Sequence, residues 1–184
     1  MHTNVLHRKA RKTYVRAFFF AVAFVVFASP ANSVEVGDIP PGDLGKDNDG
    51  KAILLSESVG RIRIVSFWAT WCPPCMKELP VLNAIQKKAG ATRVQVIAVN
   101  LKESPKQFRK ALRAFQDYDI QFVHDRRGSV ARKYGVKGIP HMLIIDVDGH
   151  IAYQHIGYNE SALNGIVAEI NALFIRNNML GETS

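Results

Sequence analysis

Cysteine is scarce in this chain: two residues among 184. Two are too few for a disulfide-stapled scaffold or a four-cysteine zinc site. No apolar run approaches the ~18 residues of an ordinary membrane-spanning helix. Internal repeats and low-complexity segments are absent. Acidic residues are missing from positions 1–16, which hold Arg8, Lys9, Arg11, Lys12 and Arg16. The formal charge of +8 comes largely from that stretch, since the remainder carries 19 basic against 16 acidic residues. A balance so close to neutral gives no case for nucleic acid as a partner. Apolar residues make up 47% and charged residues 22% of the chain, which suits one compact domain with a core.

Residues 17–28 (AFFFAVAFVVFA) are apolar without a break, and Ser29, Pro30 and Ala31 follow. A basic start, a short apolar run and small residues read as an export signal, with cleavage after Ala31 or Ser33. Twelve residues in a helix span about 18 Å, short of a ~30 Å bilayer core. A short uncleaved anchor is the alternative. No cysteine follows the run to carry a lipid. Residues 1–33 are therefore set apart from a domain over 34–184, expected in the periplasm or on the extracytoplasmic face of a membrane.

Residues 34–51 read as an extended lead-in. Ala52–Leu55 and Ile62–Trp68 (IRIVSFW) read as strands, the second rich in β-branched and aromatic residues. A helix follows over Pro73–Ala89, closed by Gly90, and Pro80 should kink it. Val94–Asn100 is a nearly continuous apolar strand, as expected when both faces are covered. Ser104 and Pro105 start a helix with Phe108, Ala111, Leu112 and Phe115 on its apolar face. Its other face carries Lys106, Arg109, Lys110 and Arg113, read as a solvated surface. Gln121–His124 is a short strand and Ser129–Tyr134 a brief helix. Met142–Asp146 and Ile151–His155 flank Asp148-Gly149, a hairpin signal. Asn159 caps a last helix with Ala162, Leu163, Ile166, Val167, Ile170 and Leu173 on one face. Tyr153, Tyr158, His150 and His155 lie near the hairpin and read as surface. The order predicts an α/β fold, with parallel strands joined by helical crossovers and an antiparallel edge.

Both cysteines fall in Trp71-Cys72-Pro73-Pro74-Cys75, where a strand gives way to a helix. A Cys-x-x-Cys in that position suits redox chemistry. The thiolate is the nucleophile, and the unpaired N–H groups of a helix N-terminus stabilise it. Cys72, at the exposed end, is the expected attacking thiol. Cys75, one turn inward, is the expected resolving thiol, buried. Pro73 and Pro74 have no N–H to donate, which should lower the Cys72 pKa less than donor residues would and favour a reducing couple.

These residues resemble the thioredoxin superfamily. Phe67-Trp68-Ala69-x-Trp71-Cys72-x-Pro74-Cys75 follows its active-site strand and turn. Gly135-Val136-Lys137-Gly138-Ile139-Pro140 is similar to its second hallmark, a loop ending in a cis-proline. The chain resembles in particular the exported TlpA/ResA/CcmG branch over about residues 36–175. Three features carry this: the export signal with the added Ala52–Leu55 strand, a helical insert around Ser104–Tyr118, and Cys75-Met76-Lys77-Glu78-Leu79-Pro80, with an acid three residues after the second cysteine.

The resemblance implies a thioredoxin-like fold, a central mixed sheet flanked by helices, with an N-terminal strand extension and a helical insert. It implies a thiol:disulfide oxidoreductase with a redox-active Cys72–Cys75 disulfide, no cofactor and no metal. Pro140 would pack against the disulfide, and the Ile139 backbone would pair with substrate peptide. Trp71 would help shape the substrate surface. Thioredoxins carry a buried Asp where this chain has Ser66, and Glu78 is expected to take over that proton-accepting role. His141, after the cis-proline, reads as a structural histidine. The implied partners are exported proteins with disulfides, apocytochrome c among them, and a membrane thiol:disulfide electron donor. An exported oxidant or isomerase is the alternative, although Gln121–Pro140 leaves no room for the helical domain such oxidants insert. A copper chaperone on the same fold is a third reading, with His124 its weak candidate for a third ligand.

Overall fold

The computed structural model describes residues 33–178. The expected signal or anchor at 1–33 lies outside the described residues, apart from Ser33. Among the described residues, no helix is long and apolar enough to cross a membrane.

Seven strands form one mixed sheet: β1 (Asp43–Lys46), β2 (Ala52–Leu54), β3 (Ile62–Trp68), β4 (Val94–Leu101), β5 (Gln121–Asp125), β6 (His141–Ile145) and β7 (Ile151–Ile156). Their spatial order is β2-β1-β5-β4-β3-β6-β7. β3, β4 and β5 are parallel neighbours, while β6 and β7 run antiparallel on one side. β1 pairs antiparallel with both β5 and β2 on the other side. Four helices join them: α1 (Pro73–Ala89), α2 (Pro105–Ala114), α3 (Ser129–Lys133) and α4 (Leu163–Arg176). This is a thioredoxin-like fold.

The two-residue period of β3 accounts for both cores. Ile62, Ile64 and Trp68 face α1 and α4, packing with Leu79, Leu82, Ile166, Ile170 and Leu173. Val65 and Phe67 face the other way, toward Val130, Ala131 and Tyr134. Every residue of β3 is buried, so its apolar run is a consequence of coverage on both sides. Truncating Leu79 or Leu82 to Ala would cost roughly 2–5 kcal/mol.

The buried polar residues of α1 anchor it. Asn83 Oδ1 accepts from the Asp119 amide at 2.9 Å, and Gln86 Oε1 accepts from the Val96 amide at 2.6 Å. α1 runs unbroken through Pro80. A capping box starts α2: Ser104 Oγ accepts from the Gln107 amide, and Gln107 Oε1 accepts from the Ser104 amide.

Several elements depart from the sequence expectations. The lead-in contains a strand, β1, whose sequence DLGK has little β-propensity. It forms because the following turn turns it back onto β2: Asp47 Oδ1 accepts from the amides of Asp49 and Lys51, both at 2.9 Å. β2 stops at Leu54, and a 3-10 turn takes Leu55–Ser58. The insert helix ends at Ala114, before the aromatic cluster of Phe115, Tyr118 and Phe122. The Asp148-Gly149 signal does not make a two-residue hairpin. The loop spans 146–150, with the Asp146 amide bonded to the His150 carbonyl. Asn159 caps a 3-10 turn, Glu160–Ala162, that precedes α4. On α4 Val167 is exposed and Phe174 is buried instead.

One buried charge ties the turn after β2 to the central sheet. Arg63, in the middle of β3, donates from Nη1 to the Leu55 carbonyl at 3.1 Å and from Nη2 to the Asp146 carbonyl at 2.5 Å. Burial pulls its pKa below the ordinary value, opposed by Asp148 and Asp146.

Candidate active site

Strand β3 ends at Trp68, and Ala69–Trp71 lead into α1. The Cys72 amide donates to the Ala69 carbonyl at 3.2 Å and closes this turn. Cys72 is the N-cap of α1, with Pro73 and Pro74 in its first turn. Cys72 and Cys75 form a disulfide with their Cα atoms 5.3 Å apart. Cys72 Sγ accepts from the Cys75 amide at 3.3 Å. With two prolines between the cysteines, that amide is the first one the helix end can offer.

Cys72 is 4% exposed and Cys75 1%. Cys72 is thus less open than its place at a helix end suggested, although it remains the more accessible sulfur residue. The accessible apolar surface is next to it, on Trp71, which is 65% exposed, and on the exposed Pro73 and Pro74. The Ile139-Pro140 peptide is cis and Pro140 is buried. Ile139 packs against both cores. An open cleft lies between Pro73, Pro74 and Lys77 on α1 and Tyr158, Asn159 and Glu160 on the loop before α4.

Glu78 is 2% exposed. It lies one helical turn after Cys75, and its Oε1 accepts from Ser66 Oγ on β3 at 2.7 Å. Burial raises its pKa to about 7, with the Ser66 bond pulling the other way. The sequence points to both residues, but not to the bond between them.

His141 sits away from the sulfurs, edge-on to the Phe67 ring on the opposite face of the sheet. Gln154 Nε2 donates to its Nε2 at 2.7 Å. Burial lowers its pKa. His124 donates from Nε2 to the Glu103 carbonyl at 2.9 Å and stacks on Phe108. His155 pairs with Glu169 at 2.7 Å. Lys106, Arg109, Lys110 and Arg113 lie on the exposed face of α2.

Sequence reading passes over Glu103 and Thr70. The buried Glu103 carboxylate accepts from the Thr70 amide at 3.0 Å, from the Thr70 hydroxyl, and from Asn100 Nδ2 at 2.5 Å. Local sequence does not reveal the Glu103–Thr70 pairing, because Thr70 is 33 residues away.

Comparison with known proteins fits this geometry. The Redoxin family model matches residues 35–170. The thiol-disulfide oxidoreductase ResA of Bacillus cereus is 31% identical over 136 residues, covering 71% of this chain and 77% of that protein. The thioredoxin-like protein YneN of Bacillus subtilis is 34% identical, covering 67% and 73%. A crystal structure from Chlorobium tepidum, assigned as the thiol:disulfide interchange protein DsbE, superposes with a TM-score of 0.67 at 31% identity. That match covers 77% of this chain and 99% of the other. A cysteine pair capping the helix after a central strand, the cis-proline loop and these relatives agree: the chain belongs to the Redoxin family, as a thiol-disulfide oxidoreductase of the ResA/DsbE type.

Proposed function

We propose that the chain is a disulfide reductase for exported proteins, with apocytochrome c among its substrates. In the reduced enzyme, the Cys72 thiolate attacks a substrate disulfide. A Cys72–substrate bond forms, the substrate S–S bond breaks, and the departing sulfur takes a proton. Cys75 then loses its proton to Glu78, and its thiolate attacks Cys72 Sγ. The substrate leaves as a dithiol, and the Cys72–Cys75 disulfide holds the two-electron oxidation. A membrane thiol:disulfide donor returns the electrons. Trp71 and the Ile139–Pro140 backbone receive the substrate chain.

The observation that carries this reading is the Glu78–Ser66 pair beside Cys75. A carboxyl that titrates near 7 is matched to taking and returning a proton at neutral pH. The Pro73-Pro74 turn supports the reducing direction, because the Cys72 thiolate loses two backbone donors and the disulfide form is favoured. Residues 1–33 serve as the export signal or a short anchor for the domain over 34–184. Cytochrome maturation and the membrane donor come to this chain from its resemblance to the TlpA/ResA/CcmG branch.

The test is the midpoint potential of the pair in glutathione or dithiothreitol buffers. A value at or below about −250 mV is expected for a reductant. A value of about −120 to −180 mV would assign an oxidant or isomerase instead. A Cys75→Ser variant should trap oxidised apocytochrome c as a mixed disulfide through Cys72.

A further inference from the structure

Thr70 lies inside the turn that delivers Cys72. Both of its hydrogen-bond donors go to one side chain: the amide to Glu103 Oε2 at 3.0 Å and the hydroxyl to Glu103 Oε1. The backbone of the residue is thereby held at its N–H and its side chain at Oγ1. Asn100 Nδ2 adds a third donor at 2.5 Å. Glu103 is 3% exposed, and among the described residues no Lys, Arg or His reaches its carboxylate as an ion pair. A carboxylate taken from water without a cation needs its lone pairs filled by donors. Here two of three donors come from the residue two positions before the attacking thiol.

Glu103 is itself firmly placed. The preceding Lys102 has φ +55°, an uncommon conformation for a residue with a side chain, and its amide donates to the Asp125 carbonyl at 3.0 Å. His124 Nε2 donates to the Glu103 carbonyl at 2.9 Å, and its ring stacks on Phe108 of α2 with centroids 4.5 Å apart. Ser104, the next residue, caps α2. Glu103 thus joins the ends of β4 and β5 and the start of α2 to a single point on the redox turn.

The geometry points to Glu103 as a positioning residue for the dithiol. Its carboxylate pins Thr70, and the pinned turn holds Cys72 Sγ against the Cys75 amide, the contact that favours the thiolate. The inference rests on the assignment of Cys72 as the attacking thiol.

The test follows alkylation of the reduced full chain by iodoacetamide across pH, with the modified cysteine mapped by mass, and the midpoint potential in glutathione buffer. Glu103→Ala and Thr70→Val should each slow Cys72 alkylation at pH 7 by about threefold or more, because a smaller fraction is thiolate. Their midpoint potentials should shift with the pKa. Thr70→Ser keeps both bonds and should match the parent. Thr70→Val removes one hydroxyl and carries the test should Glu103→Ala fail to fold. Parent-like pH profiles and potentials with only a fall in melting temperature would overturn the proposal, leaving Glu103 a structural residue. Faster alkylation would also overturn it, because the carboxylate would then act by repelling the thiolate. Alkylation of Cys75 first in the parent would instead remove the Cys72 assignment, and this inference with it.

Discussion

Ser66 Oγ donates to Glu78 Oε1 at 2.7 Å across the interface between β3 and α1. The central strand supplies the hydroxyl and the helix supplies the carboxylate. The buried Glu78 is carried on the same helix as Cys75. A hydroxyl donor favours the ionised form of Glu78, while burial favours the neutral form and dominates.

The rate of mixed-disulfide resolution should therefore show an inflection near pH 7. Glu78→Gln should remove it and slow the step by at least about tenfold. Ser66→Ala withdraws the donor that favours ionisation and should move the inflection upward. Stopped-flow Trp fluorescence across pH reads both. An unchanged inflection in Glu78→Gln would assign it to another group.

Stability should carry the same signature. The Glu78 carboxyl titrates at about 7 in the folded chain against 4.5 for an ordinary Glu, so between those values the folded state holds more protons than the unfolded one. Stability from this group is fully present below about 4.5 and is lost as pH rises through 7, about 3 kcal/mol in all. Urea unfolding of the oxidised protein, compared with Glu78→Gln, measures it. The difference between the two proteins should follow this slope, with the variant flatter.

A donor restored between the cysteines should make the couple more oxidising. Pro74→His returns an N–H to the second position of α1, where an N-cap side chain can accept it. Gain of one hydrogen bond to the thiolate should lower the Cys72 pKa by about one unit and raise the midpoint potential by about 30 mV. Thiolate absorbance at 240 nm and a glutathione titration check the two shifts.

Ser104→Ala should cost about 1 kcal/mol by removing the cap of α2. The potential and the Cys72 pKa should stay at parent values, because the Ser104 bonds stay within α2 and its cap. Urea midpoints and the potential, measured on one preparation, separate stability at this position from positioning at its neighbour Glu103.

The parallel core, the antiparallel edge after it and the redox helix are legible in the sequence because they rest on local signals. Ile62–Trp68 is apolar at all its positions but Arg63 and Ser66, and Ser104-Pro105 marks a helix start. The cysteine pair and Ile139-Pro140 are short motifs whose chemistry is fixed by spacing. What escapes is written in long-range pairing. β1 reads as loop because its residues have no preference for a strand and are held there by β5 and the Asp47 turn. Glu103 looks like one more charged residue in a loop until the fold brings Thr70 to it. Val167 keeps helical period with its neighbours but lies beyond the reach of the sheet, so Phe174 fills the core in its place. Asp148-Gly149 signals reversal correctly, yet the Asp146–His150 bond sets the loop length.

Arg63 makes the first strands inseparable from the rest. Of its two side-chain bonds, one ends on Leu55, in the 3-10 turn after β2, and the other on Asp146, beyond β6. A minimal domain made by trimming the chain to begin at β3 would leave a guanidinium in the middle of the sheet with one partner gone. Replacing residue 63 by an apolar residue should recover stability lost in such a truncation. The extension and the arginine are therefore a matched pair, to be grafted or deleted together in any rebuilding of this scaffold.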